Sequence, residues 1–121
     1  MKKVLFFVVT FICLNTAQSS GTEISFLNFC NYLEVDEASL TKDEKAITIS
    51  CIAFISGITQ THASLVAKKK IKPLYCKPAV VSNGDIGRLY ARHMRSHKAE
   101  EGVADSDRLI KLLKETYPCK R

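Results

Sequence analysis

Four of the five cysteines, Cys30, Cys51, Cys76 and Cys119, follow an N-terminal stretch with the layout of an export signal. An even set of cysteines in an exported chain of this size points to two disulfides. The expectation is therefore a stapled extracytoplasmic domain, not a cytosolic thiol or zinc protein. The signal consists of Lys2 and Lys3, an apolar run from Val4 to Leu14, and small residues from Ala17 to Gly21. That run is too short to span a bilayer, so it is read as a cleaved signal peptide over 1–17, with the cut as late as 20 as the alternative. Cys13 leaves with it.

What remains, 18–121, is one domain of 104 residues, enough for a core of its own. Loss of Lys2 and Lys3 takes the formal charge from +6 to +4. The charge is graded along the chain: six acids and two bases over 23–45, nine bases and one acid over 46–99, five of each over 100–121. A basic middle suits an acidic partner. Export removes nucleic acid from the candidates and leaves envelope polymers or an exported protein.

Hydrophobic periodicity predicts four helices with short separators and no second hydrophobic run long enough for a membrane span. The first covers Ile24 to Leu33. Thr41 and Glu44 have the spacing of a capping box and should start the second. Its apolar rows at 47, 51, 54, 58, 65 and at 52, 55, 66 predict a central helix buried on a wide face, in spite of the β-branched run ITISCI. Gly57 in its middle is expected to admit the close approach of another helix, and Lys68-Lys69-Lys70 to end it. Pro73 and Pro78 stiffen the connector around Cys76. Ser82 or Asn83 should cap a third helix from about Asp85 to His97, with Ile86, Leu89, Tyr90, His93, Met94 and His97 on one side and Arg88, Arg92 and Arg95 on the other. A loop over Lys98–Ala104 precedes a fourth helix with Leu109, Ile110, Leu112, Leu113 and Tyr117 on its apolar face, ended by Pro118.

Four cysteines allow three pairings, and helix direction discriminates among them. Antiparallel third and fourth helices bring Cys119 back beside Cys76, which leaves Cys30 for Cys51. The fold class is thus all-α, a small four-helix domain stapled by two disulfides after a cleaved signal peptide.

Catalytic and metal chemistry find little footing. His93 and His97 have the i, i+4 spacing of two metal ligands, but Met94 stands where an HExxH motif has its glutamate, and no third ligand accompanies them. His62 lies on an apolar row of the second helix, in a core or interface position. Glu100 and Glu101 are adjacent in a loop and do not face each other across a cleft. We expect no enzyme, no metal and no cofactor.

The order Cys51-Ile52-x-Phe54-Ile55-x-Gly57, Tyr75-Cys76-x-Pro78-x-Val80, Leu89-Tyr90, Leu109-Ile110-x-Leu112-Leu113 and Tyr117-Pro118-Cys119 resembles the Rap/Tai-type periplasmic immunity proteins, from about Phe29 onward. The resemblance implies a small, helical, disulfide-bonded and usually dimeric periplasmic protein. It also implies a function: binding and occluding a papain-like peptidoglycan amidase delivered by type VI secretion. The expected contact set is the loop from Ser96 to Asp105 with its flanks: Arg92, Arg95, His97, Lys98, Glu100, Glu101, Gly102 and Asp105. Glu100-Glu101-Gly102 departs from the Pro-containing connection common in the family, and the third helix is unusually basic; both bear on which toxin is recognised. After signal cleavage the expected partners are the cognate amidase and a second copy of the chain, with no membrane and no nucleic acid. A periplasmic acid-stress chaperone, also small, helical and exported, is the alternative.

The cysteine argument yields the first prediction. Non-reducing peptide mapping of the mature protein should find no free thiol, with Cys30 linked to Cys51 and Cys76 to Cys119; a Cys51–Cys76 link would contradict the helix directions.

Overall fold

The computed structural model describes residues 26–97 and 102–120. The signal segment and Ile24 lie outside these residues. The helices are α1 (Phe26–Cys30), α2 (Lys42–Ala67), α3 (Asn83–Ser96) and α4 (Asp105–Thr116), with 3₁₀ turns at Asn31–Glu34 and Glu37–Ser39. No strand occurs among the described residues. The first helix thus tightens into a 3₁₀ turn after Cys30, and ITISCI is helical.

Capping fixes where the two longest helices begin. At α2, the Thr41 hydroxyl accepts the Glu44 backbone N–H (3.3 Å) while the Glu44 carboxylate accepts the Thr41 N–H (2.7 Å). Ser82 and Asp85 repeat the box at α3, at 3.1 and 2.9 Å. Hydrogen bonds from Ser82 and from the Arg88 guanidinium hold the Asp85 carboxyl far below its ordinary range, and the Thr41 backbone and hydroxyl lower that of Glu44. At the other end of α2, Lys69 and Lys70 donate to the carbonyls of Val66 and Leu65, with Lys69 at φ 54°. This is a Schellman ending with lysine at the left-handed position where glycine is usual.

α1 packs against both α2 and α3. Cys30, Cys51, Ile55, Ile86, Tyr90, Ala91, Leu109 and Leu113 are wholly buried at their junction with α4. The Phe26 ring lies 4.2 Å from that of Phe54 and 5.0 Å from that of Tyr90. Both disulfides follow the expected pairing, with Cα–Cα distances of 5.1 Å (Cys30–Cys51) and 4.8 Å (Cys76–Cys119). The Cys76 N–H donates to the Tyr117 carbonyl at 2.8 Å, so the end of α4 does return to the connector before α3. Loops of 21 and 43 residues make each bond worth about 3 to 4 kcal/mol by chain entropy.

Three expectations about α2 need correction. Only Cys51 and Ile55 of its 26 residues are buried, one from each apolar row, so the buried face is narrow and Phe54 and Leu65 of the first row lie exposed. By length and composition alone the helix could cross a membrane, with mean hydropathy 1.3 over its most apolar stretch, where the sequence reading recognised no second such run. The Thr and Ser residues scattered along it break up the apolar run to the eye without lowering its mean enough. Finally, Gly57 is not a close-approach glycine, since a Cβ there meets nothing within 4 Å. The close approach is at Gly87 of α3, where a Cβ would stand 2.3 Å from Leu33 Cδ1, 3.1 Å from Cys51 Sγ and 3.3 Å from Ile55 Cδ1.

The two glycines should therefore respond oppositely to alanine. Gly87→Ala forces α3 off the Cys30–Cys51 bond and should destabilise by about 1 to 3 kcal/mol. Gly57→Ala should stabilise the isolated chain by roughly 0.5 to 1 kcal/mol through helix propensity. Urea melts of both variants check the pair; equal effects would contradict this packing.

Candidate functional site

The residues expected to meet a partner cluster around the junction of α3 with α4, and the structure gives them different kinds of work. Lys98, Glu100 and Glu101 lie outside the described residues. His97 follows the last residue of α3, exposed, with its Nδ1–H donating to the His93 carbonyl at 2.8 Å and its ring stacked on that of His93 at 4.0 Å. Burial and then the neighbouring His97 push the His93 ring below its ordinary value. Gly102 is exposed at φ +76°, in the left-handed region where glycine is at ease and other residues are strained.

Asp105 is anchored inward. One carboxylate oxygen accepts the backbone N–H of Phe26 at 3.0 Å; the other accepts the Tyr90 hydroxyl at 2.9 Å and the Arg108 Nη1–H at 3.1 Å. A single carboxylate at the start of α4 thus fastens the first described residue of α1, the middle of α3 and the next turn of its own helix. Burial, and then the bond to Asp105, drives the Tyr90 phenol well above its usual range.

Arg92 and Arg95 converge on one carboxylate, that of Glu34, in the 3₁₀ turn after α1. The guanidiniums are half-exposed, so the pairs contribute modestly to stability; their effect is to hold two cations side by side on the α3 surface. Sequence reading missed Glu34 because 58 residues separate it from Arg92; two arginines at i, i+3 with no acid in reach on their own helix were the available hint. It also missed a groove of about 390 Å³ between α2, the connector after it and α4, walled by Ile58, Leu65, Ile71, Leu74, Tyr75 and Ile110.

The described residues form a disulfide-stapled helical domain with Arg92 and Arg95 paired to Glu34 on the α3 surface, an exposed Gly102 and an inward-anchored Asp105 at the start of α4. The sequence matches the family of Rap1a immunity proteins over residues 22–119, and the chain belongs to that family. No curated protein and no solved structure matches it significantly. Membership places it with proteins that neutralise a cognate effector by binding it, not with the chaperone alternative.

Asp105→Ala should destabilise the fold by about 2 kcal/mol or more, since it strands a backbone N–H and a buried phenol together. Asp105→Asn, which keeps one acceptor, should cost less. Thermal melts of the two variants check the order.

Proposed function

We propose that this immunity protein acts in the periplasm, as a homodimer, by blocking the cleft of a peptidoglycan amidase delivered by type VI secretion. The observation that carries the reading is the family match over 22–119, joined to the fit of the expected disulfides and helices. Four cysteines behind a signal-like segment suit an oxidising compartment. The segment between α3 and α4 is the proposed plug. Its far end is fixed by Asp105, its Gly102 is free to bend, and Arg92 and Arg95 stand on the adjoining helix.

A papain-like amidase holds its nucleophile as a thiolate beside an imidazolium. Glu100 and Glu101 would meet that imidazolium, while the backbone of the loop occupies a groove shaped for an extended peptide. Dimerisation is assigned to the outward apolar flank of α2, where Phe54 and Leu65 are each 37 % exposed and Ile71 and Leu74 are exposed beside them. A flank of that kind on a small exported domain calls for cover.

Replacing Glu100, Glu101 and Gly102 together by alanine should weaken binding of the amidase more than about tenfold and abolish protection of cells, with an unchanged circular dichroism spectrum and a melt lowered only by the roughly 1 kcal/mol of backbone strain at position 102. Unchanged affinity would move the site to the arginine face of α3. In sedimentation the wild type should be a dimer at micromolar concentration and Leu65→Glu a monomer; a monomeric wild type would remove the dimer from this reading.

A further inference from the structure

His62 sits on α2 facing the connector, where the Leu74 backbone N–H donates to its Nε2 at 3.0 Å and the Tyr75 ring stacks on it at 4.2 Å and 17°. An imidazole accepts a hydrogen bond at Nε2 only while neutral, with its proton on Nδ1; the imidazolium has no lone pair to offer. We propose that His62 is a pH-sensitive latch: its neutral ring pins the connector to α2, and protonation releases that wall of the apolar groove.

Among the described residues no carboxylate bonds to the ring, and the stacked Tyr75 face is the one group beside it that would favour the charged form, less than burial disfavours it. Facing it from the connector is Tyr75, with Lys68, Lys69, Lys70 and Lys72 in the same stretch of chain. α4 brings Ile110 to the groove, flanked by Asp107, Lys111, Lys114 and Glu115 on an adjoining surface, and α2 adds Thr61 and Leu65. Between Glu44 and Asp85 the chain has no acidic residue. Burial accordingly pushes the His62 ring below its ordinary 6.5. The sign follows: on acidification the unfolded chain takes up the proton before the folded one, so the latch's contribution is whole above 6.5 and is lost as pH falls through the lower folded value.

Release stays local. The Cys76–Cys119 bond, the Cys76 N–H to Tyr117 and the buried Tyr75 hold the far end of the connector, so the opening is confined to Ile71–Leu74, which carries two groove-lining side chains, Ile71 and Leu74. Residues that would meet an apolar partner therefore become movable at acid pH. The latch does not depend on the effector reading.

Residue-resolved NMR of the oxidised wild-type protein tests it. Ring ¹⁵N shifts should show the Nδ1–H tautomer of His62 at neutral pH, and protection of the Leu74 amide from exchange, corrected for intrinsic rate, should fall roughly fivefold or more across the His62 titration. His62→Gln offers a carbonyl that accepts at every pH, and should keep Leu74 protected without the step. An Nε2–H tautomer, Leu74 protection that ignores the His62 titration, or the same step in His62→Gln would each overturn the latch.

Discussion

The contact between Gly87 and the buried Cys30–Cys51 bond is the constraint on which the rest of the domain depends. α1 has five described helical residues, far too few to persist alone. It is held because a disulfide ties its last residue to α2 and because a residue without a side chain lets α3 close over that bond. Leu33, in the 3₁₀ turn after α1, fills the space left where a Cβ would stand. Three segments distant in sequence are thereby locked before any partner is met.

Asp105 carries that rigidity to the candidate site. Its carboxylate joins Phe26, Tyr90 and Arg108 at the residue where the α3–α4 segment re-enters helix. The Glu34 carboxylate fixes Arg92 and Arg95 on the helix from which that segment departs. Binding surfaces whose supports are already ordered lose less entropy on association. The supports differ in kind: the α3–α4 junction is braced by charge, while the connector wall of the groove rests on the Leu74 to His62 hydrogen bond and on apolar contacts.

What was legible in the sequence was local or bore on chain direction. The Thr41–Glu44 box, the Ser82 cap, the apolar face of α4 and the two cysteine pairs follow from spacings of three or four residues and from antiparallel helices. Gly57 and Gly87 could not be told apart, since a glycine in a helix reads the same whether it faces solvent or a disulfide; only the rotation of α3 against α2 decides. Nor could the apolar rows of α2 reveal how little of each faces the core, because both are apolar throughout and the neighbours bury only Cys51 of one row and Ile55 of the other. Asp105 stood among the expected partner contacts, and its reach to the Phe26 N–H, 79 residues away, leaves no local trace.

The central claim is that the protein works by covering the catalytic cysteine of an amidase, and alkylation tests it directly. Cys30, Cys51, Cys76 and Cys119 are in disulfides, so a chain prepared from residue 18 onward, without Cys13, offers iodoacetamide no thiol. The account predicts that the amidase active-site cysteine, alkylated rapidly when free, becomes unreactive in a stoichiometric complex and reactive again once the complex is dissociated. A stable complex whose cysteine alkylates at the rate of the free amidase would contradict occlusion.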